Sequence, residues 1–138
     1  MIPLTNNNTS TVQALQIQLA GAATSTYPTV TVASYIVPQQ SKTIVGPNGQ
    51  IAPDPSEYRA SNEFTLLTAS SLATIAAAPA QGAVKDIIYI NVYNTDTATA
   101  IATISILDYT TTRPLLKQSI GSGESLIYES QGIGWHII

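Results

Sequence analysis

Apolar and polar residues alternate with a period of two along much of the chain, which predicts half-buried β-strands. In the segment 13–19, leucine and isoleucine occupy one face and glutamines occupy most of the other. The segment 29–37 alternates in the same way, but the phase of its pattern shifts near Ala33-Ser34. This shift predicts a β-bulge at that point.

The C-terminal half predicts further strands. In Val84–Tyr93, the alternation places Ile88, Ile90 and Val92 on one face, and the other face is also largely apolar. Apolar residues on both faces predict a central strand or one covered by a partner. The remaining strands are predicted at Ala100–Leu107, Arg113–Ile120, Ser125–Glu129 and Trp135–Ile138, with Gly121-Ser122-Gly123 as a hairpin turn. Pro114 predicts either an edge position for its strand or a position among the first residues of that strand.

The middle of the chain is rich in proline. Residues 38–60 contain four prolines and read as a long loop, with Pro47-Asn48-Gly49 as a turn and Thr43–Val45 as a short edge strand. Residues 64–78 are compatible with a helix or with two short strands. We favour strands, because threonine and serine interrupt the apolar spacing that a helix needs.

These patterns predict an all-β fold, a single-domain antiparallel β-sandwich or jelly roll. Residues 1–12 are rich in Asn and Thr and lack periodicity, so we expect an extended, flexible N-terminal arm. The sandwich domain then spans residues 13–138, with the proline-rich loop at 38–60. The N-terminal residues include no basic segment followed by a long apolar one, so no secretory signal peptide is expected.

Composition narrows the function. Only 9% of the 138 residues are charged, the net charge is −3, and 18 Thr and 13 Ser supply much of the polarity. Without a basic patch, neither nucleic acid nor an anionic membrane is an expected partner. The chain has no cysteine, which excludes disulfides and thiolate chemistry.

Catalytic chemistry finds little support in the sequence. His136 is the only histidine, and we interpret it as a partly buried or rim residue rather than a catalytic base. The nearest acid pairs, Asp54 with Glu57 and Glu124 with Glu129, adjoin turns or loops and read as solvated surface charge. We therefore predict no enzyme activity and assign no catalytic, cofactor-binding or metal-binding residue.

Binding motifs are equally sparse. Gly46-Pro47-Asn48-Gly49 lacks the Lys-Ser/Thr ending of a phosphate-binding loop, and Asp54, Glu57 and Glu63 do not have the spacing of a calcium loop. The tyrosines at 89, 93, 109 and 128 could form a platform for a sugar. They suit the edges of a core or contacts between subunits as well.

A family resemblance goes further than the composition. The run Val84-Lys85-Asp86-Ile87-Ile88-Tyr89-Ile90-Asn91-Val92-Tyr93-Asn94-Thr95-Asp96-Thr97 is followed by Ala102–Ile106, Gly123–Glu129 and Gly134-Trp135. This order of segments resembles small virion structural proteins of tailed bacteriophages, in particular head decoration (cement) proteins. Residues 15–37 are similar to the front of such chains, whereas residues 38–60 have no counterpart. The family has no catalytic motif, so the resemblance carries over no active residue.

The resemblance implies a protein that binds the outer surface of a phage capsid and stabilises the head. The expected partners are the major capsid protein and two further copies in a homotrimer, and the expected location is the capsid exterior after synthesis in the host cytoplasm. A tail, neck or fibre-base structural protein is the first alternative, and a host-glycan-binding module is the second. Apart from the resemblance, we expect residues 1–12 and 38–60 to lie outside the folded body and to reach out to the capsid or to neighbouring subunits; the alternative is a disordered tail and a solvated loop.

Overall fold

The computed structural model describes residues 1–7, 11–38, 43–53 and 59–138. These residues form twelve strands and no helix, and all paired strands are antiparallel. The strands are Ile2–Thr5 (β1), Gln13–Leu19 (β2), Thr29–Pro38 (β3), Thr43–Val45 (β4), Ile51–Pro53 (β5), Arg59–Leu66 (β6), Ala73–Ala76 (β7), Ala83–Tyr93 (β8), Ala100–Asp108 (β9), Thr111–Ile120 (β10), Ser125–Glu129 (β11) and Gly134–Ile137 (β12).

Two sheets pack together as a β-sandwich, which confirms the predicted all-β, single-domain class. The first sheet has six strands in the order β12-β11-β8-β3-β6, with β1 paired to β8, and the second has the order β10-β9-β2-β7. The jelly-roll form of the sandwich stays a prediction. The core is formed by the inward faces of both sheets, and its fully buried members include Leu15, Ile17, Val30, Ile90 and Ile104.

The ambiguous segment 64–78 contains strands, as we favoured. β6 ends at Leu66 and β7 spans Ala73–Ala76, in different sheets. The predicted central strand is also confirmed, because β8 pairs with β3 on one side and with β1 and β11 on the other. Pro114 lies on β10, an edge strand, where the register with β9 shifts between Pro114 and Leu116.

The predicted bulge lies where the β3–β8 register shifts, between Ala33 and Ser34, but the extra residue is Ile88 of β8. Ala33 pairs with Tyr89 and Ser34 pairs with Ile87, so Ile88 has no partner on β3. The bulge reverses the alternation along β8. Our prediction that Ile88 shares a face with Ile90 and Val92 is therefore wrong, since it is Ile87 that is buried with them.

The prediction of a flexible arm over residues 1–12 is wrong for residues 2–5. They form β1, which pairs with Val84–Ile87 of β8. Leu4 is fully buried in the core, so this segment belongs to the folded body and cannot reach a neighbouring subunit. The signal was missed because four residues that include Pro3 are too few to show a period. Residues 8–10 lie outside the described part of the chain.

Two connections that read as simple turns lead from one sheet to the other. Residues 94–99 join β8 of the six-stranded sheet to β9 of the four-stranded sheet. Gly121-Ser122-Gly123 leads back from β10 to β11, so the predicted hairpin at this position is wrong. Alternation of side chains identifies a strand but does not identify the strand that it pairs with. The sequence therefore could not show that these two turns connect different sheets.

Candidate interaction surfaces

The residues considered for catalysis do not come together. His136 is partly buried on β12, as predicted, and its Nδ1 lies 3.3 Å from the carbonyl oxygen of Gly134. Glu124 immediately precedes β11 and Glu129 is its last residue, so the five steps of extended chain between them place them roughly 17 Å apart. The Glu124 carboxylate accepts a hydrogen bond from the Gly121 N–H at 2.7 Å, which fixes the inter-sheet turn. Asp54 and Glu57 lie outside the described residues.

Glu63, which lacks the sequence spacing of a calcium loop, has a structural contact. Glu63 pairs with Lys85, and the distance between Oε1 and Nζ is 3.0 Å. Within residues 1–7, 11–38, 43–53 and 59–138, no group of three or more His, Asp or Glu side chains could hold a metal ion. The same residues contain no helix that could span a bilayer.

A buried polar junction holds the two inter-sheet connections together. Asn94 is fully buried, and its Nδ2 lies within 3.1 Å of the carbonyl oxygens of Ala98, Ile120 and Gly121. Its Oδ1 accepts from the Asp96 N–H at 3.0 Å. One amide thus satisfies carbonyls that would otherwise be buried without donors, so we interpret the junction as structural.

Asp96 is the most strongly perturbed acid in the junction. The backbone N–H of Thr24 donates to its carboxylate at 2.6 Å, and the Ser25 hydroxyl and N–H donate at 2.8 and 2.9 Å. These bonds, Thr24 first, hold the pKa of Asp96 well below its usual range, and they outweigh desolvation, which acts to raise it. The carboxylate ties the loop after β2 to the loop after β8.

We expect Asp96→Asn to destabilise the protein at neutral pH and to have a smaller effect in acid. An aspartate titrates near pH 3.9 when unfolded, and here the folded pKa is lower. The stability from Asp96 is therefore fully present above that value and is lost as the pH falls through the folded pKa. Denaturant midpoints of wild type and variant should converge below about pH 4. Asp108→Asn, at a carboxylate paired with the exposed Arg113, is the control. A difference in denaturant midpoint between wild type and Asp96→Asn that stays constant from pH 7 to pH 2 would contradict this assignment.

The proline-rich section contains a hairpin that pairs with neither sheet. β4 and β5 pair only with each other in the described structure, so Thr43–Val45 is a strand, as predicted, but not at the edge of a main sheet. Gly49 has a φ of 78°, and its N–H donates to the Gly46 carbonyl at 3.0 Å, which confirms the turn at Pro47-Asn48-Gly49. Val45 and Ile51 oppose each other and are 71% and 70% exposed.

The outer face of the six-stranded sheet carries a second apolar surface. Thr29 on β3 pairs with Leu66 on β6 and with Tyr93 on β8, and all three point away from the core. Phe64 lies next to this row on the same face of β6, and it is 68% exposed. We call Phe64, Leu66 and Tyr93 the apolar end of the outer face.

At the other end of this face is a groove of about 610 Å³, which we call the tyrosine groove. It lies where β1 and β11 meet end to end beside β8, at the bulge residue Ile88, whose carbonyl accepts from the Ser130 N–H at 2.9 Å. The side chains that matter for its chemistry are Tyr35, Asp86, Ile88, Tyr89, Glu129 and Gln131.

The four tyrosines considered as a sugar platform do not form one. Tyr89 and Tyr93 lie on the outer face of the six-stranded sheet, whereas Tyr109 is in the β9–β10 turn of the other sheet. Tyr128 is buried, its ring centroid lies 4.9 Å from that of Trp135, and burial raises its pKa. The residue that joins Tyr89 in the groove is Tyr35, which the sequence did not single out.

Comparison of the chain with protein-family models, with curated proteins and with solved structures finds no match.

Proposed function

We propose that this protein is a structural subunit of a tailed-phage virion that attaches to the outer surface of the capsid and stabilises the head. The major capsid protein is its proposed partner, and the capsid exterior its proposed location. Residues 84–138 resemble decoration proteins, and the observation that carries the proposal is the β4–β5 hairpin. It stands apart from both sheets and exposes Ile44, Val45 and Ile51.

An exposed apolar hairpin suits permanent attachment to a protein surface. Complete burial of an aliphatic side chain contributes roughly 1.5–3 kcal/mol, so a few such residues supply useful affinity in every copy. The turn at Pro47-Asn48-Gly49 restricts the hairpin tip before it docks, which reduces the entropy lost on binding. A chain with only 9% charged residues can form few ion pairs with a partner, so exposed apolar residues are the expected main source of its affinity.

The proposal includes a homotrimer, for which the apolar end of the outer face is the best contact surface. Phe64 and Leu66 are 68% and 61% exposed, and both lie on β6, the edge strand of its sheet. Sedimentation at micromolar concentration should therefore show a species of about three times 14.5 kDa. A single species of 14.5 kDa would count against the trimer.

Copy number in the particle tests the location. The phage that encodes the chain is purified, and the band of this protein is compared with that of the major capsid protein. We expect a stoichiometry of hundreds of copies per head. A small multiple of three or six would instead favour the alternative, a tail, neck or fibre-base subunit. Complete absence from purified virions would refute both.

A hairpin variant tests the attachment itself. We expect Val45→Ser with Ile51→Ser to fold normally and to bind particles that lack the protein with an apparent affinity at least about tenfold lower, because about 1.4 kcal/mol of lost binding free energy raises the dissociation constant tenfold. Ile133→Ser is the matched control, since Ile133 is 80% exposed in the turn before β12. Equal occupancy for both variants and wild type would remove the hairpin from the interface.

A further inference from the structure

The tyrosine groove places two aromatic rings and two carboxylates on one face of the sheet. Tyr35 of β3 is directly opposite Asp86 of β8, and Tyr89 of β8 is directly opposite Glu129 of β11. Directly opposed side chains have Cβ atoms about 4.5–5.5 Å apart, so each carboxylate has a tyrosine beside it. The bulge at Ile88 lies between the two pairs.

The carboxylates of the groove differ from the other acids that the structure describes. Asp96, Asp108, Glu63 and Glu124 all accept hydrogen bonds from a serine, arginine, lysine, glutamine or backbone donor. Among the described residues, neither Asp86 nor Glu129 has a side-chain hydrogen bond or an ion pair. Of the acids in the described part of the chain, the two without a side-chain partner are therefore the two that line the same groove.

We propose that the tyrosine groove binds an arginine side chain presented by a partner protein. The identity of this partner as the major capsid protein rests on the function proposed above, but the chemistry of the groove does not. A guanidinium group stacks on aromatic rings, and it forms planar, bidentate hydrogen bonds with carboxylates. Tyr35 and Tyr89 supply the rings, and Asp86 and Glu129 supply the acceptors.

Charge complementarity selects this occupant. Met1 also lines the groove, but no cationic group of the described residues forms an ion pair with Asp86 or Glu129, so both carboxylates are available to a cation. The two carboxylates repel an anionic ligand, and a neutral ligand would leave both of them without a counter-charge. The aromatic rings favour a flat, weakly hydrated guanidinium over a strongly hydrated ammonium group.

The proposal is tested with the full chain and a small probe, N-acetyl-arginine amide, by NMR titration. We expect the ring resonances of Tyr35 and Tyr89 to shift in a saturable manner at millimolar probe concentrations, as suits a single exposed contact of about 4 kcal/mol. N-acetyl-citrulline amide has nearly the same shape without the charge, and it should bind at least about tenfold more weakly. Equal responses to the two probes would overturn the proposal.

Paired variants assign the effect to the groove. Asp86→Asn with Glu129→Gln should weaken arginine binding by at least about tenfold. The matched control, Asp108→Asn with Glu124→Gln, removes two negative charges outside the groove, so it should bind the probe as wild type does. Loss of binding in the control to the same extent would show a general charge effect and would contradict the proposal.

Two other outcomes separate the groove from the virion function. Saturable shifts of Tyr35 and Tyr89 with a neutral pyranose, unchanged in Asp86→Asn with Glu129→Gln, would overturn the proposal in favour of a saccharide site. Particles that take up this double variant at wild-type occupancy would overturn the assignment of the arginine to the partner surface. That last result leaves the proposed virion function intact, because the copy-number and hairpin experiments test it separately.

Discussion

Replacing Leu4 by alanine is expected to lower the free energy of unfolding by about 2–5 kcal/mol. Leu4 is fully buried and packs in the core shared by the two sheets. The variant loses the transfer free energy of three carbon atoms. It also leaves a cavity, because the surrounding side chains belong to several strands and cannot all move in to fill it. Chemical denaturation at a fixed protein concentration measures the change.

Pro3→Ala is the matched control for this prediction. Pro3 is the neighbouring residue of β1, but it is exposed, so its replacement should change stability by no more than about 0.5 kcal/mol. The contrast between the two variants separates the core contribution of Leu4 from any change in strand pairing. Equal, small effects of both substitutions would show that β1 does not contribute to the core.

Removal of residues 1–12 should have a larger effect than Leu4→Ala. It exposes the edge of β8 over residues 84–87, and it removes the hydrogen bonds that Asn6 makes with Pro79 and Gly82. A chain that starts at Gln13 is therefore expected to unfold or to aggregate through the free edge. Cooperative unfolding of that shortened chain at the wild-type midpoint would restore the flexible-arm interpretation.

The sequence predicted most strands because their alternation is local information. β2, β3, β8 and β9 follow the period of two closely enough to be located within one or two residues. The bulge near Ala33-Ser34 was also visible as a shift of phase, although the extra residue lies across the ladder at Ile88. A shift of register belongs to a pair of strands, and one strand alone cannot show which partner carries the insertion.

The candidate surfaces were harder to predict because they depend on pairing. Tyr89 and Glu129 were singled out for other reasons, whereas Tyr35 and Asp86 were not. Their proximity requires β3, β8 and β11 to lie side by side, with residues more than 90 positions apart in one groove. The Asn94 junction was missed for the same reason. Its carbonyl partners at Ile120 and Gly121 follow Asn94 in the sequence only after β9 and β10, so the contact depends on how these strands fold back.

The second large effect is expected at the ion pair between β6 and β8, in which Lys85 is buried and Glu63 is partly exposed. The side chain of Lys85 is 4% exposed, and its Nζ donates to Glu63 at 3.0 Å and to the Ala77 carbonyl at 2.7 Å. Ala77 follows β7, so these contacts link the two sheets at one side of the sandwich. β3 lies between β6 and β8, and its inward-facing residue near the ion pair is Ser34, whose side chain is short.

Glu63→Leu should lower the free energy of unfolding by about 3–5 kcal/mol, because it leaves the Lys85 ammonium group buried without a counter-charge. Replacing both partners, as Lys85→Met with Glu63→Leu, should recover most of this loss, since two apolar side chains of similar volume need no ionic partner. Denaturant unfolding of the wild type, both single variants and the double variant completes a double-mutant cycle. If the double variant is as unstable as the sum of its single variants, the two side chains act independently and the link between the sheets does not depend on their pairing.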